Sequence, residues 1–550
     1  MAQTGQGRDG PRRLRVVVIG GAGVFGARLA GLLIRDGHEV ILAGRSGPVA
    51  QAAALGTGAI TLDRTGDLAP LWACGPDVVI DAAGPFHAYG ADPYRLARHA
   101  IERRVHYLDL ADDAAFCAGL SALDAAARAA GVVALSGVSS VPGLSSAIVA
   151  DLARDADEID TIRSAILPGN RAPRGRSVVD SILHQTGTLF ETHLDGTPVE
   201  RQSWSEGEVF DLKGKFRRRA YLLRVPDQSL FPRFFGARTV VFKAGLELAV
   251  MNHGLAVWSL LRRHLMLPDA RWTRAVIFHA ARLLHPFGTD TGGMVVEVTA
   301  RHGTEWRRHR WTLIVRRGDG PAIPGVAARA VLRALDRQPP GAGPALARIS
   351  RAEAEAAMEG LEVETATESQ SLAPLFPSVV KDFDGLPAAV RASHDTVAPR
   401  LFSGIGRVDR GRGLWPNLIA RLFGFPNETP ATPVTVLKQP TRKGETWTRS
   451  FGARRFRSHL ARGPHGMTER FGPFTFDLDL HVQDGALHYP VRAGRFGPIP
   501  LPRALLPRSE ARETAHAGKF CYDVALYAPL TGQMVVRYRG SLTRASEMET

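Results

Sequence analysis

Cysteine is scarce in this sequence, and its scarcity narrows the class of protein. Only three cysteines occur in 550 residues, Cys74, Cys117 and Cys521, and no two of them form a Cys-x-x-Cys pair. This spacing argues against a disulfide framework and against a structural zinc site. The polar N-terminal segment has no apolar stretch of the kind that a secretory signal contains. We therefore expect a cytoplasmic protein without a bound metal.

Long uncharged apolar runs are also missing. The most apolar stretch, residues 246–266, is interrupted by Glu247, His253, Arg262, Arg263 and His264, whereas a membrane-spanning helix needs about 20 nearly uncharged residues. The stretch is therefore not expected to span a membrane. Its apolar residues and basic end predict an amphipathic helix, which either packs in the core or lies at a membrane surface.

Lysine is the third scarce residue, because seven of the 69 basic residues are lysine and the others are arginine. The net charge of +15 suggests an anionic partner, but such an arginine bias is typical of proteins from GC-rich genomes. No zinc-finger spacing or aromatic RNA-binding motif accompanies the charge, so we expect no nucleic acid partner. Two local basic clusters, residues 213–224 and 437–470, are either solvated faces or contacts for lipid headgroups or phosphorylated molecules.

The most informative segment that is present spans residues 15–45. The apolar run from Val16 to Ile19 predicts a buried strand, and an apolar-periodic helix ends near Arg35. Between them Gly21, Gly23 and Gly26 form a G-x-G-x-x-G pattern, which permits a tight turn, a close approach of a pyrophosphate and close packing of the helix. This order of strand, glycine turn and helix predicts a dinucleotide-binding fold.

The end of the second predicted strand indicates which dinucleotide binds. NAD-selective sites usually place an acidic residue there for the ribose 2′-hydroxyl, whereas this strand ends in Leu-Ala-Gly and continues with Arg45 and Ser46. A guanidinium beside a hydroxyl suits a 2′-phosphate. The sequence therefore favours NADP over NAD, and the alternative is that Arg45 is a solvated loop residue.

Strands and helices alternate through the first 150 residues, which predicts an α/β domain with a doubly wound parallel sheet of the Rossmann type. A single helix is expected from Asp113 to Ala130. Ligands of such sheets bind outside the carboxyl ends of the strands. The loops expected to carry the chemistry are therefore residues 63–65, 82–87, 109–113 and 136–143.

Four motifs resemble the saccharopine dehydrogenase-like oxidoreductases. They are GGAGVFG (20–26), LAGR (42–45), DVVIDAAGPFHAYG (77–90) and VHYLDLADD (105–113). The resemblance covers about 130 residues and implies an NADP-binding domain without specifying a substrate. It implies that Gly21, Ala22, Gly23, Val24, Phe25 and Gly26 cradle the pyrophosphate, that Arg45 and Ser46 hold the adenosine end, that Asp63 lies beside adenine, and that Ala83, Gly84 and Pro85 lie near the nicotinamide.

The pattern of predicted secondary structure changes after the first 143 residues. Residues 144–375 mix strand and helix patterns and are expected to form an α/β substrate or dimerisation domain after the Rossmann domain of residues 1–143. Residues 386–550 alternate apolar and polar positions between glycine-rich turns, with a hairpin signature at Asp484-Gly485, and predict an antiparallel β-rich domain. The block at 394–413 resembles a bacterial domain of uncharacterised function found behind this reductase-like half.

Candidate catalytic residues follow from the predicted loops. His87 comes directly after the Gly84-Pro85-Phe86 turn, and Tyr107, Asp109 and Asp112 lie at or beyond the end of the next strand. His87 would titrate near neutrality and is the first candidate for proton transfer. The alternatives are that His87 is a hydrogen-bonded loop residue and that Asp109 caps the next helix.

These observations predict an NADP(H)-dependent oxidoreductase that transfers hydride to a C=N, C=O or C=C bond of an organic-acid or lipid-like small molecule. The sequence leaves open whether the protein contacts a membrane surface and whether it forms a homodimer. One alternative is a non-catalytic NADP-binding sensor or scaffold that docks on a membrane or partner through its basic face. Another makes the C-terminal domain a carrier of an apolar ligand.

Overall fold

The N-terminal part of the chain forms the predicted doubly wound parallel sheet. The computed structural model describes residues 12–173, 175–212, 214, 216–265, 279–280, 282–464 and 466–547. The strands up to residue 372 are β1 (Arg15–Ile19), β2 (Glu39–Gly44), β3 (Gly58–Thr61), β4 (Val78–Asp81), β5 (His106–Asp109), β6 (Val133–Ser136), β7 (Glu158–Leu167), β8 (Leu189–Leu194), β9 (Thr197–Gln202), β10 (Glu208–Leu212), β11 (Phe216–Leu222), β12 (Thr239–Ala244), β13 (Gly292–His302), β14 (Glu305–Val315), β15 (Gly341–Pro344) and β16 (Val363–Leu372).

The first sheet has the order β15-β6-β5-β4-β1-β2-β3, and every neighbouring pair in it is parallel. Its central strand β1 is the apolar run of the sequence, and residues Val16 to Ile19 are at most 2% exposed. Such a run belongs in a strand that is covered on both faces. The seventh strand, β15, comes from residues 341–344, far along the chain.

The helices cover both faces of this sheet and continue through the chain. Their bounds are α1 (Val24–Arg35), α2 (Pro48–Leu55), α3 (Ala69–Ala73), α4 (Arg95–Glu102), α5 (Ala114–Gly119), α6 (Asp124–Ala130), α7 (Ser145–Leu152), α8 (Arg176–Gln185), α9 (Pro226–Phe235), α10 (Ala249–His264), α11 (Ile323–Arg333), α12 (Arg351–Ala356), α13 (Ala388–His394) and α14 (Leu414–Leu422). None of the helices in the described part of the chain is long and apolar enough to cross a membrane.

The single helix expected from Asp113 to Ala130 was a wrong prediction. The segment is α5, a 3₁₀ turn at Leu120–Leu123, and then α6. A Cβ atom at Gly119 would lie 2.1 Å from the Tyr94 hydroxyl oxygen, so the glycine admits the tyrosine where the helix breaks. The N-cap of α5 is Asp113, whose side chain accepts a hydrogen bond from the Phe116 N–H.

The second sheet has the order β10-β11-β12-β7-β13-β14-β16. It is mixed, because β12 pairs with β7 in parallel and with β11 in antiparallel orientation. Between strands β14 and β16 of this sheet, α11 returns to the first sheet and packs on α1. A Cβ atom at Gly325 would lie 3.1 Å from Cβ of Leu29, so the two helices are in close contact. This contact gives the two sheets one shared hydrophobic core.

The C-terminal region forms one antiparallel sheet of 13 strands, as its alternating pattern predicts. The hairpin turn expected at Asp484-Gly485 is present, and both residues have positive φ angles of 52° and 67°. The strands are β17 (Arg400–Arg410), β18 (Thr429–Thr441), β19 (Gly444–Phe451), β20 (Arg454–Gly463), β21 (Gly466–Phe471), β22 (Phe474–Leu478), β23 (His481–Gln483), β24 (Ala486–His488), β25 (Val491–Phe496), β26 (Ile499–Pro500), β27 (Arg508–His516), β28 (Lys519–Tyr527) and β29 (Met534–Arg544).

The chain divides into two compact units. The first unit contains both seven-stranded sheets and comprises Met1–His193, Val199–Ala300 and Arg308–Ser369. The second unit contains the 13-stranded sheet and comprises Leu194–Pro198, Arg301–Arg307 and Gln370–Thr550. The division of the sequence into domains of residues 1–143, 144–375 and 386–550 stays a prediction.

Candidate functional site

The tight turn between β1 and α1 is the candidate cofactor cradle. Gly20 has a φ of +73°, and a Cβ atom there would lie 2.7 Å from Cα of Ala83. The Gly23 N–H donates to the Gly20 carbonyl at 2.8 Å, and a Cβ atom at Gly26 would lie 2.3 Å from the same oxygen. The predicted set of site residues omits Gly20, although it is the first glycine of the GGAGVFG motif.

The helix that follows this turn begins with backbone donors aimed out of the sheet. Gly23 is the N-cap of α1, and no side chain caps the helix there. The first-turn N–H groups of such a helix have no partner within it, and they favour an anion. Gly23 is exposed and Ala22, Val24 and Phe25 are half-buried. The cradle therefore fits a pyrophosphate, with Gly20 and Gly26 keeping its floor free of side chains.

The loop after β2 lies beside the same turn. Arg45 and Ser46 are exposed, and a Cβ atom at Gly47 would lie 3.8 Å from Cβ of Ala22. Asp63, which follows β3, accepts hydrogen bonds from the Thr65 N–H and hydroxyl at 3.0 and 2.7 Å. These bonds hold the pKa of Asp63 below its usual value, and the charge of Arg45 acts in the same direction. The loops after β2 and β3 thus present a cation and a carboxylate at one edge of the turn.

A cavity of about 940 Å³ lies within the first unit, where the carboxyl end of its parallel sheet meets the second sheet. Phe25 and the loop at Gly84-Pro85 form part of its wall, so the cavity begins at the cofactor turn. The loop residues Ser139 and Ser140 after β6 line it as well. Its other walls are mainly apolar and include Ile166, Phe242, Met251, Leu255, Trp258 and Leu313. Its position is that expected for the ligand of a doubly wound sheet.

Asp112 is the carboxyl group of the predicted catalytic set that lines this cavity. It lies in the loop after β5 and is half-buried. Burial raises the pKa of Asp112 to about 6, although hydrogen bonds from a backbone N–H and from the Ser181 side chain oppose the rise. A carboxyl group with this pKa exchanges a proton near neutral pH, which is what a general acid requires.

Asp109 and Tyr107 are buried within the sheet rather than placed on the cavity wall. The Oδ1 atom of Asp109 accepts hydrogen bonds from the Ala111 N–H, the Ser136 hydroxyl and the Gly137 N–H at 2.8 to 3.0 Å. Burial nevertheless raises the pKa of Asp109 to about 7. Tyr107 is 1% exposed, and burial raises its pKa well above the usual value. The Asp109 contacts hold two loops, and a catalytic role for either residue stays a prediction.

His87 is exposed and lies in the short 3₁₀ turn Phe86–Ala88. Its ring stacks on that of His184 in α8, with centroids 5.0 Å apart and planes 4° from parallel. The neighbouring Phe86 lines the cavity. Asp112 is thus on the cavity wall, whereas His87 is not among the residues that line the cavity, and the role of His87 in proton transfer also stays a prediction.

In the part of the first predicted basic cluster that the structure describes, neighbouring arginines differ in exposure. Arg218 is 5% exposed and binds Glu247, with Nη2 and Oε1 2.9 Å apart, whereas Arg217 and Arg219 on either side of it are exposed. Lys213 and Lys215 lie outside the described residues. The alternation of strand β11 thus divides this cluster between two faces.

The predicted amphipathic stretch forms helix α10. One face of this helix lines the cavity, and the other face is exposed to solvent. Met251, Leu255 and Trp258 line the cavity, while Val257, Leu260 and Leu261 are 44 to 55% exposed. Met266, the last residue of the predicted stretch, lies outside the described residues. One face of this helix therefore packs inside the first unit, as one of the two alternatives for the stretch predicts. Contact of the other face with a membrane surface stays a prediction.

A glycine turn that leads into a helix at the centre of a parallel sheet defines a dinucleotide-binding domain of the kind that oxidoreductases use. Residues 16–135 match the family described as saccharopine dehydrogenase NADP binding domain. Residues 386–542 match a domain of unknown function, DUF4166. The chain thus joins these two domains, and the predicted resemblance is confirmed in both parts. The first match also confirms NADP as the expected cofactor.

Solved structures that this chain resembles include a dehydrogenase and a reductase. A probable dehydrogenase from Thermotoga maritima has 11% identity and a TM-score of 0.32, with 63% of this chain and 93% of that chain covered. Biliverdin reductase from Synechocystis, in complex with biliverdin and NADP⁺, has 14% identity and a TM-score of 0.27, with 63% and 96% covered. Values this low carry no information on substrate. No curated protein matches the chain in sequence.

Proposed function

We propose that the first unit is an NADP(H)-dependent reductase of a mainly apolar small molecule with a C=O, C=N or C=C bond. The observation that carries this proposal is the continuity of the apolar cavity with the glycine turn through Phe25 and the Gly84-Pro85 loop. Its volume of about 940 Å³ lies at the upper end of the usual range for ligand sites. The dominance of apolar side chains favours a lipid-like substrate over a small organic acid.

The residues divide the work of the reaction. The first turn of α1 and the floor at Gly20 and Gly26 hold the pyrophosphate, and Arg45 and Ser46 hold the 2′-phosphate. NADPH, when bound, would supply a hydride to one atom of the substrate double bond. The electron pair of that bond then moves to the other atom, which takes up one proton. Asp112 donates that proton from the cavity wall, and the products are NADP⁺ and the saturated bond.

The proton-transfer role is tested by the pH dependence of single-turnover NADPH oxidation, with a panel of apolar ketones, imines and enoyl compounds as substrates. Because Asp112 has a pKa of about 6, we expect the wild-type rate to fall as pH rises above 6. Asp112→Asn should lower the rate about 10²- to 10⁴-fold and remove this dependence. Asp92→Asn is the matched control, since Asp92 binds Arg98 at the surface and is not one of the residues that line the cavity. An unchanged pH profile in Asp112→Asn would refute the assignment.

Two measurements distinguish a reductase from a non-catalytic NADP sensor. Calorimetry first measures NADPH binding, and the same assay then measures NADPH oxidation. A reductase and a sensor both bind NADPH, and only a reductase oxidises it when the cavity ligand is present. A protein that binds NADPH tightly and turns over no compound of the panel would favour the sensor. Membrane contact and a homodimer remain predictions, which liposome co-sedimentation and sedimentation equilibrium would test.

A further inference from the structure

The second unit contains its own cavity, which the proposed reductase does not use. It has a volume of about 120 Å³ and is enclosed mainly by side chains of the 13-stranded sheet. An apolar cavity of ~150 Å³ accepts a benzene ring, so this space suits one ring or a short alkyl chain. Its wall is rich in aromatic side chains, among them Phe402, Trp447, Phe451, Phe476, Phe520 and Tyr538.

One cation lies in this aromatic wall. Lys438 is 2% exposed and lines the cavity, and its Nζ lies 4.1 Å from the ring centroid of Trp447. Nζ donates to the Ser393 carbonyl at 2.6 Å, and it lies 3.4 Å from Nδ1 of His394 and 3.5 Å from the Ser393 hydroxyl oxygen. All three of these hydrogen-bond partners are uncharged. A buried cation is costly unless an anion pairs with it.

The neighbouring acid is occupied by other donors. Glu513 accepts a hydrogen bond from Nε2 of His394 and another from the Tyr489 hydroxyl at 2.9 Å. The bond at Nε2 makes Nδ1 the acceptor that faces Lys438. Burial and the charge of Lys438 lower the pKa of His394 to about 4, so the imidazole is neutral. Glu513 therefore fixes the imidazole and leaves the Lys438 ammonium without a direct anionic partner.

The other charged groups near the cavity are also occupied. Glu445 accepts hydrogen bonds from Trp447 Nε1 at 2.8 Å and from the Thr396 hydroxyl at 3.3 Å. Arg449 binds Glu469, with Nη2 and Oε1 3.2 Å apart. Arg449, Glu469 and Glu513 line the cavity together with Lys438. Arg449 pairs with Glu469 and Glu513 with His394, so among these four wall residues Lys438 is the charge without a direct ion pair in the described part of the chain.

We propose that the cavity of the second unit binds a monocarboxylate with an aromatic or short alkyl body, whose carboxylate pairs with the Lys438 ammonium. The aromatic wall takes up the apolar body, and an ammonium proton is donated to the carboxylate in place of the long 3.5 Å contact with the Ser393 hydroxyl. This site is independent of the NADP cradle and of the reductase proposed for the first unit.

The experiment is calorimetric titration of the full chain with benzoate and with hexanoate at pH 7, in the absence of NADPH. Benzamide is the uncharged control for benzoate, and we expect it to bind at least tenfold more weakly. Lys438→Met, which keeps the length of the side chain, should lower benzoate affinity at least tenfold. Lys443→Met is the matched control, because Lys443 is exposed on the turn between β18 and β19, and its affinity should equal that of wild type.

The pH dependence separates an anchoring ammonium from a merely structural lysine. Burial lowers the pKa of Lys438 to about 8, with Glu513 and Glu445 opposing the decrease and Arg449 adding to it. Benzoate affinity should therefore fall about tenfold between pH 7 and pH 9, as the ammonium loses its proton. His394 does not titrate in this interval, since its pKa is about 4.

A second variant guards against misfolding of Lys438→Met. Val436 is two residues away on β18 and lines the same cavity, so Val436→Phe fills the space and leaves Lys438 in place. It should abolish benzoate binding while the thermal unfolding curve stays cooperative. The proposal is overturned if neither benzoate nor hexanoate binds at a ligand concentration of about 10⁻² M. It is also overturned if benzamide binds as well as benzoate, or if Lys438→Met binds benzoate as wild type does.

Discussion

A buried carboxylate joins the cofactor helix α1 to α11 in the first unit. Asp36 is the C-cap of α1, and its two oxygens accept hydrogen bonds from Arg329 and Arg333 of α11 at 2.7 to 3.0 Å. Both guanidinium groups bind it in a bidentate manner. Because α11 also contributes Ile323 and Pro324 to the cavity wall, this contact fixes the cofactor helix against the substrate site.

Removal of this carboxylate has a cost that follows from burial. The side chains of Asp36 and Arg329 are 8% and 3% exposed, and that of Arg333 is 28% exposed. Asp36→Ala leaves the buried Arg329 guanidinium without its carboxylate, whereas Arg333 keeps Glu359 at 3.3 Å. Removal of one partner of a buried ion pair typically costs about 3–5 kcal/mol. Asp92→Ala is the control, since Asp92 binds Arg98 at the surface, where both side chains are more than 40% exposed. We expect little change from it.

The assay is urea unfolding followed by tryptophan fluorescence, with and without NADPH. The transition that NADPH moves to higher urea belongs to the first unit, because a ligand stabilises only the state that binds it. Asp36→Ala should shift this transition to lower urea and leave any other transition in place. A shift no larger than that of Asp92→Ala would show that the two arginines do not depend on Asp36, and would refute the reasoning.

The pH dependence of the same contact has a definite sign. Although burial opposes it, hydrogen bonds from Arg329 and Arg333 hold the pKa of Asp36 well below its usual value. A depressed carboxyl pKa stabilises the fold above the unfolded-state pKa of about 3.9 and loses that contribution as pH falls below it. The difference in stability between wild type and Asp36→Ala should therefore be constant near neutral pH and shrink below about pH 4.

Two further predictions concern the cofactor. Gly26→Ala should abolish NADPH binding in calorimetry, because its Cβ would lie 2.3 Å from the Gly20 carbonyl oxygen, whereas Gly31→Ala in the same helix meets its nearest atom at 4.0 Å and should bind normally. Equal binding by both variants would contradict the turn geometry. Arg45→Asp should shift the ratio of NADPH to NADH affinity toward NADH, since a carboxylate repels a 2′-phosphate and accepts from a 2′-hydroxyl. An unchanged ratio would show that Arg45 does not read the adenosine end.

The elements that the sequence predicted are those whose signal is local. The run from Val16 to Ile19, the glycine turn and the Asp484-Gly485 hairpin each specify their conformation within a few residues. Strand β15 could not be predicted, because its four residues, Gly-Ala-Gly-Pro, carry no apolar alternation. It pairs with β6, and the Ala342 N–H donates to the Asp124 carboxylate at 2.8 Å. These contacts are tertiary and leave no periodic trace.

The cluster around Lys438 also consists of residues that are distant in the sequence and meet only in the folded chain. His394 and Glu513 are 119 residues apart in the chain, so no spacing motif joins them. One signal was nevertheless present. Val434, Val436 and Lys438 alternate along β18, and alternate residues of a strand share a face. A lysine that continues an apolar face is either at the end of the strand or buried for a purpose, and the sequence could have marked it on that ground.

Asp81 and Asp109 explain why a carboxylate at the end of a strand is a poor guide to catalysis. They end the neighbouring strands β4 and β5 in register, and both are fully buried. Oδ1 of Asp81 accepts from the Ala83 N–H at 3.1 Å, and Oδ1 of Asp109 accepts from the Ala111 N–H at 3.0 Å. Each acid thereby bonds to the backbone two residues on and sets the direction of the loop that follows.

These loops carry the residues that meet ligands. The loop after Asp81 presents Gly84 and Pro85 to the cavity, and the loop after Asp109 presents Asp112. A buried acid that positions a loop must be fixed in place, whereas an acid that donates a proton to a substrate must reach the cavity. The first requirement describes Asp81 and Asp109, and the second describes Asp112. The position in which its loop is held therefore favours Asp112 as the proton donor, as does its own pKa of about 6.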